Sequence, residues 1–546
     1  MPDPTTPDPA SARTSSSPWA PLFEPVFRKL WIVWMIANTC MWMNDVAAAW
    51  LMTTLTTSTV MVALVQTAST LPVFMLGLPS GALADILDRR RYFMVTQFWV
   101  ATTAAVLCLA ILSGAINPTL LLLLTFANGI GLAMRWPVFS AIVPELVPRA
   151  QLPAALALNG VAMNVSRIVG PIAAGALIAS AGTAWVFVLN AVLSLVAGVL
   201  IISWRRSSTP TSALPGERFL GAMRVGLQYV RQSARMRTVL MRVFMFFMQS
   251  TALVALLPLL AQQMPDGSAR TYTVLLASMG AGAILSATLI PRWRRMYSSD
   301  TIVHAGSLLQ AATMVGAALA PNIWLAVPAM FVTGIAWLTV ANTLAVSAQL
   351  SLPDWVRARA MSTYQVSIMG GSALGAALWG QIADFTDLRT SIVLAALVGS
   401  AALWLTRARR LEDSHEEDLT PSRSFRPPAA SWAFEPTDGP VLTTVEYRID
   451  PARADEFLPI VQETGRRRLS RGALSWELFR DTADPGLFVE YIVDSNWLEH
   501  LRHFDRLTAA DELLRARRLS FLVEGEAPVV RRRIVATAGQ RPRQSR

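Results

Sequence analysis

A chain of 546 residues that is 53% hydrophobic and only 15% charged is too apolar for a soluble multidomain protein. Its mean hydropathy is +0.42, and runs of roughly 20 apolar residues, enough to cross a bilayer core of about 30 Å, recur along its first three-quarters. A net charge of +11 would suggest nucleic acid in a soluble protein. In this chain it is better explained by membrane topology, so nucleic acid is not an expected partner.

Residues 1–24 read as a disordered tail rich in Pro, Ser and Thr, without the charged n-region of a cleavable signal. Twelve spans are expected. Six lie near 30–52, 60–83, 92–113, 118–139, 154–180 and 184–204, in a half covering 25–204. Six more lie near 238–262, 271–291, 302–320, 322–345, 360–382 and 389–406, in a half covering 238–410. Arginines crowd alternate loops, at Arg89–Arg91, Arg149, Arg205–Arg237, Arg292–Arg295 and Arg357–Arg359. The intervening loops carry only Arg270 and Arg389. This asymmetry places both termini and the central loop 205–237 in the cytoplasm. Cys40 and Cys108 sit inside apolar spans and read as packing residues. The histidines, at 304, 415, 500 and 503, are scattered and form no membrane metal cluster.

Between the second and third spans lies Gly81-Ala-Leu-Ala-Asp85-Ile-Leu-Asp88-Arg89-Arg90-Arg91, a short hairpin with a carboxylate ahead of three arginines. This Gly-x-x-x-Asp-x-x-x-Arg-Arg pattern resembles the loop between helices 2 and 3 of the major facilitator superfamily. The likeness covers about residues 25–406, and Val169-Gly170-Pro171 with Trp355-Val-Arg357-Ala-Arg359-Ala-Met361-Ser362 draws it toward the bacterial enterobactin and macrolide exporters, also called transmembrane secretion effectors. The resemblance implies two six-helix halves related by an axis along the membrane normal. It also implies that Asp85 locks the cytoplasmic helix ends, with Gly81 permitting close approach and Arg89 and Arg90 as positive partners. Ile86 and Asp88 depart from the family pattern, where a basic residue and a glycine are common, so the expected gate counts Asp88 with Asp85 and pairs its charges differently. A second likeness, of Gly160-x-x-x-Asn164-x-x-Arg167-x-x-Gly170-Pro171-x-x-x-Gly175, is to the fifth-helix signature of superfamily antiporters. There Pro171 kinks the helix and the glycines allow tight packing, so the segment is a bending element or only a packing one. A repeat trace pairs Gly170, Pro171 and Gly175 with Gly370, Gly371, Gly375 and Gly380.

Charges inside spans cost several kcal/mol unless paired or wetted. Asp45 lies about 22 Å, and Arg167 about 20 Å, from the cytoplasmic ends of their spans at 1.5 Å per residue. An Asp45–Arg167 pair or shared polar network is expected, with Asp45 carrying a coupled proton; a purely structural ion pair is the alternative. Asn44 joins the polar pathway. Arg135 sits nearer the cytoplasmic end, where snorkelling or substrate contact would explain it. No phosphate-binding Gly-Lys-Ser/Thr loop occurs, so no nucleotide cofactor is expected.

In the central loop Phe219, Met223, Leu227 and Val230 recur at helical spacing opposite arginines, as for an amphipathic helix on the inner membrane surface or a spacer between halves. Residues 411–438 read as a linker. Strand, helix, hairpin, helix (495–518) and strand then follow within 439–535, the order of a ferredoxin-like unit, ahead of a basic tail 536–546. The motifs Trp476-Glu-Leu-Phe-Arg-Asp481 and Trp497-Leu-Glu-His500-Leu-Arg-His503 make this stretch resemble antibiotic-biosynthesis-monooxygenase-type α/β barrels, which implies homodimerisation through it. Trp476, His500 and His503 are its candidate site residues, or else barrel lining.

The expected fold is therefore an all-α polytopic membrane protein of twelve helices with a C-terminal α+β ferredoxin-like domain. The expected function is proton-coupled export of small amphipathic molecules such as antibiotics or siderophores, without enzymatic activity. The alternative is a membrane-tethered monooxygenase-like or ligand-sensing protein whose C-terminal domain carries the activity.

Overall fold

The computed structural model describes residues 19–148, 151–202, 219–265, 267–407 and 434–536, with 418, 420 and 422. Residues 1–18 of the expected N-terminal tail, residues 537–546 and most of the linker lie outside these residues, whereas Ala20–Phe23, expected to be disordered, form a 3-10 turn with Ala20 and Pro21 buried. Two compact units are present. The first comprises Met1–Thr211, Leu240–Ala345 and Tyr364–Arg409, and the second Ser212–Val239, Val346–Thr363 and Arg410–Arg546.

The first unit is helical throughout. Its first half holds α1 (Pro25–Leu55), α2 (Thr59–Ile86), α3 (Arg89–Leu112), α4 (Pro118–Leu146), α5 (Leu152–Ala181) and α6 (Thr183–Ile202). After α7 (Phe219–Gln232) the second half holds α8 (Ala234–Gln262), α9 (Ala269–Met296), α10 (Ser299–Leu319), α11 (Ile323–Leu350), α12 (Asp354–Phe385) and α13 (Leu388–Leu405). Eleven helices are long and apolar enough to cross a membrane among the described residues. α1, at 31 residues, covers the remaining expected span and carries Arg28, Lys29 and Asp45. Several helices overrun their expected ends: α4 continues to Leu146 and α12 begins at Asp354.

The helix starts follow from local chemistry. Ser58, Asn117, Ser268, Ser298 and Asp387 each accept a backbone N–H of the next turn, satisfying donors that have no partner within the helix. Gly182, at φ +94°, makes the turn from α5 to α6. Large apolar residues such as Leu123, Val199, Trp324 and Leu397 remain exposed on these helices, as suits a lipid-facing surface. One core cluster joins both halves, running from Met43 and Met52 to Leu256, Met314 and Ile392. A second, around Phe27, Phe93, Phe139 and Ile201, belongs to the first half alone.

Glycines set the crossings, and the pattern repeats between halves. In α5 a Cβ on Gly170 would lie 2.5 Å from Trp42 of α1, and one on Gly175 would overlap Thr273 of α9. In α12 a Cβ on Gly375 would lie 2.3 Å from the Met248 carbonyl of α8, and one on Gly380 would lie 2.4 Å from Ala63 of α2. Each of these two helices thus packs on the first helix of its own half and the second helix of the other.

The second unit holds a four-stranded antiparallel sheet of β1 (Val441–Arg448), β2 (Ser475–Arg480), β3 (Leu487–Asp494) and β4 (Val529–Ile534), in the order β2-β3-β1-β4. α14 (Ala454–Ser470), α15 (Trp497–Asp505) and α16 (Ala509–Leu519) complete it. This is the expected ferredoxin-like order, with one correction: the helix expected over 495–518 is broken at 506–508. Thr508 caps α16 through a reciprocal capping box with Asp511, which starts a new helix instead of extending the old one. Phe457 and Tyr447 anchor the core.

The helix expected in the central loop is α7, and its expected apolar positions do not share one environment, the Phe219 side chain lying outside the described residues. Val225 and Val230 are buried while Leu227 is 44% exposed. Val225 faces Gly472, whose φ of +113° and crowded Cβ position suit only glycine. Arg224 and Gln228 donate to the carbonyls of Gly472 (3.4 Å) and Ala473 (2.7 Å). Tyr229 donates to the Ser351 carbonyl at 3.0 Å and meets Trp355 edge-on. The Arg506 guanidinium covers the other ring contact of Trp355, 5.2 Å from its centroid.

Candidate functional site

About half-way along their helices, α1 contributes Trp42 and Asp45, α5 contributes Arg167, and α11 contributes Trp337. The Arg167 guanidinium lies 5.5 Å from the Trp42 ring centroid and 4.8 Å from that of Trp337. Its Nε is buried without a hydrogen-bond partner. The expected Asp45–Arg167 ion pair is not formed: Arg167 turns to the two indole faces, where cation–π attraction replaces a carboxylate. Asp45 Oδ1 is likewise buried without a partner, and the carboxylate is an electrostatic neighbour of the Tyr272 hydroxyl of α9. Tyr272 in turn stacks on Trp50, ring centroids 5.9 Å apart. Asp45 and Arg167 therefore both face the boundary between the halves, each with unused polar capacity.

Polar residues link α1 to its neighbours. Asn190 Nδ2 donates to Asn44 Oδ1 at 3.2 Å and Ser194 donates to Asn190 at 3.2 Å, so buried Asn44 belongs to a three-residue ladder between α1 and α6. Thr39 donates to Ser166 at 3.0 Å, and Ser166 to the Met35 carbonyl. Arg135 corrects the snorkelling expectation. Only 3% exposed, it points inward, with Nη1 3.4 Å from the Ala37 carbonyl and its guanidinium 5.6 Å from the Trp34 ring. Trp34 itself stacks on Phe139 at 4.0 Å. The helix is thereby tied to α4 by a buried cation rather than by an outward-reaching one.

Further bonds join the halves toward the loop 56–58: Gln262 donates to Thr53 (2.7 Å), Thr59 to Asp384 (2.9 Å) and Thr67 to the Ala373 carbonyl (3.0 Å). At the opposite end, Gly81 and Asp85 lie on the last turns of α2, and the Asp85 side chain is outside the described residues. Asp88 is explained: it caps α3, accepting from the Arg91 N–H at 2.8 Å. Arg90 donates to the Ile202 carbonyl at the end of α6, where a cation complements the helix terminus. In the fifth-helix motif Gly170 and Gly175 fill close crossings and Pro171 lies within the helix. Gly160 does not share that role, since open space surrounds its Cβ position.

The C-terminal candidates separate. Trp476 packs flat against Gly465 and donates to Glu490 at 2.7 Å. Glu490, fully buried, also accepts from Arg468 (2.6 and 3.1 Å) and Tyr447 (2.9 Å), so Trp476 serves the core. His500 Nδ1 is 2.7 Å, and His503 Nδ1 3.2 Å, from the Asp494 carboxylate. The sequence reading missed Trp337, Tyr272, Asn190 and Glu490. The i, i+4 spacing of Asn190 and Ser194 was the only local signal among them.

Residues 16–541 match the family described as transmembrane secretion effector, so the match extends through the sheet unit. The staphyloferrin A transporter of Staphylococcus aureus is 21% identical over 65% of this chain and 88% of its own length. The enterobactin exporter of Escherichia coli is 24% identical over 65% of this chain and 85% of its own. Macrolide efflux protein A of Streptococcus pyogenes is 23% identical over 46% of this chain and 62% of its own. A bacterial homologue of the human lysosomal transporter Spinster, solved inward-facing and unoccupied, shares the fold with a TM-score of 0.58, at 15% identity, over 74% of this chain and 98% of that one.

Proposed function

This chain belongs to the transmembrane secretion effector family, a major facilitator group, and from that premise we propose that it exports small amphipathic molecules by alternating access. Antibiotic- or siderophore-like compounds are the substrate class, in keeping with the staphyloferrin A, enterobactin and macrolide transporters it resembles. The observation that carries the reading is the placement of Arg167 between Trp42 of the first half and Trp337 of the second. A cation held by aromatic faces alone is exchangeable: an anionic or aromatic substrate group can take the place of either ring as the halves rock. Asp45, buried with a free oxygen beside the same boundary, is the proposed proton carrier. Neutralising a carboxylate there removes the cost of an unpaired charge and lets the halves re-pack.

In this reading twelve helices span a bacterial plasma membrane with both termini cytoplasmic, as the arginine loops favour. Protons drive the exchange, and Asp85 with Arg89 and Arg90 gates the cytoplasmic side. The test is proton-driven efflux of a fluorescent amphipathic drug from everted vesicles. Asp45→Asn is expected to abolish pH-driven transport while sparing drug binding; an unchanged dependence on the pH gradient would remove Asp45 from the role.

A further inference from the structure

The sheet unit holds a cavity of about 210 Å³ between β1, β3, β4 and the helices α14 to α16. An apolar cavity of roughly 150 Å³ accepts benzene, so this one has room for a single substituted ring. Its lining includes the apolar residues Val445, Ile492, Phe504, Leu514 and Val530. Its charged residues are mostly cationic, six arginines against two aspartates. Arg467, Arg468 and Arg471 are neutralised within the fold by Glu463, Glu490 and Asp511. Among the described residues Arg518 and Arg532 form no salt bridge.

Unused polar capacity collects at the same place. Arg518 is 8% exposed and its Nε has no partner; Thr443 is 4% exposed and its Oγ1 has none. Arg532 donates to His500 Nε2 at 3.2 Å, which leaves the His500 Nδ1–H to donate to Asp494. His503 turns Nδ1 to the other Asp494 oxygen, so its buried Nε2 is the free nitrogen. Asp494, His500 and His503 lie close enough to suggest a cation. The surroundings oppose one: six arginines outnumber the two aspartates in the lining, and a net positive wall favours an anion. Burial, with the Arg468 charge as a smaller cause, holds Arg532 below the ordinary guanidinium value.

We propose that this cavity binds a hydroxylated carboxylate about one aromatic ring in size, its carboxylate on Arg518 and Thr443 and its hydroxyl on His503. A buried donor left unpaired costs about 1–3 kcal/mol, and such a ligand satisfies all three groups while its ring covers the apolar residues. The inference does not rest on the export reading, because site and readout both lie in the sheet unit.

The test is calorimetric titration of the full-length protein in detergent with salicylate, benzoate, inorganic phosphate and Zn²⁺. Salicylate is expected to bind once per chain in the sub-millimolar range, with benzoate about tenfold weaker for lack of the hydroxyl. Thr443→Val and Arg518→Gln should each weaken salicylate tenfold or more, whereas Arg448→Gln, at an exposed arginine outside the cavity lining, should leave it unchanged. If Arg518→Gln lowers the melting temperature, Thr443→Val and the cavity-filling Leu514→Phe decide the matter. Absence of carboxylate binding, binding indifferent to the cavity variants, loss of binding with Arg448→Gln, or Zn²⁺ binding in place of salicylate would each overturn the proposal.

Discussion

Arg167 lies 4.8 Å from the ring centroid of Trp337, and these two residues come from opposite halves of the helical unit. A desolvated cation–π contact is worth about 2 kcal/mol, so the pair acts as a modest clasp that rocking can open. Trp337→Leu is expected to lower the maximal efflux rate several-fold with normal membrane insertion, and Trp337→Phe to retain more of it because a ring face remains. Efflux from vesicles of matched expression is the measurement. Equal rates for the Leu and Phe variants would show that the ring face does no work there.

Where α9 crosses α11 the backbones touch. A Cβ on Gly282 would lie 1.8 Å from the Phe331 carbonyl oxygen, and one on Gly334 would lie 1.9 Å from that of Met279. Backbone cannot step aside as a side chain can, so Gly282→Ala and Gly334→Ala should each reduce the yield of folded protein sharply. Gly160→Ala, placed in open space, should be neutral or slightly stabilising, since Gly costs a helix up to about 1 kcal/mol relative to Ala. Melting temperatures by size-exclusion in detergent separate the two classes. Tolerance of both crossing variants would mean that the helices stand further apart than described.

Asp88 tests whether the loop residue is a gate or a cap. Its carboxylate accepts from the Arg91 N–H, and losing such a cap to Ala costs about 1 kcal/mol, to Gly or Asn much less. Asp88→Asn and Asp88→Gly should therefore keep efflux near the parent rate, while Asp85→Asn should depress it. Strong loss in Asp88→Asn, measured in the same vesicles, would assign the charge itself a role.

The parts that were legible in the sequence are those governed by local chemistry. Apolar runs between arginine loops marked the helices, and the Gly170–Gly175 spacing marked a tight crossing. Capping chemistry was equally local but overlooked at Asp88 and Thr508, so one helix was drawn where two exist. The partners across the halves were not readable. Depth along a helix suggested that Asp45 and Arg167 would meet, but depth says nothing of azimuth, and Arg167 faces Trp337 instead. Periodicity gives the face of α7 only in part: of the stripe Phe219, Met223, Leu227 and Val230, Val230 is buried but Leu227 is exposed, and Val225, off the stripe, meets Gly472.

Glu490 makes the sheet unit acid-labile. Burial alone would raise its carboxyl, but the Arg468 charge, with Arg518 and the bonds from Trp476 and Tyr447, holds it below the usual glutamate value. Asp494 follows the same logic: burial is outweighed by His503 and His500, which hold it well below the ordinary aspartate range. Folded values below the unfolded ones, about 3.9 for Asp and 4.3 for Glu, mean that the stabilisation is present above those values. It is lost as pH falls through the lower folded ones. Hydrogen exchange of the full-length protein should therefore show strands 441–448 and 487–494 well protected at pH 6 and progressively less so below about pH 4. Glu490→Gln leaves Arg468 without its counter-charge and should cost about 3–5 kcal/mol at pH 6, while flattening the acid dependence. Protection that is unchanged down to pH 3, or a Glu490→Gln variant as stable as the parent at pH 6, would mean that the Glu490 cluster does not hold the sheet together.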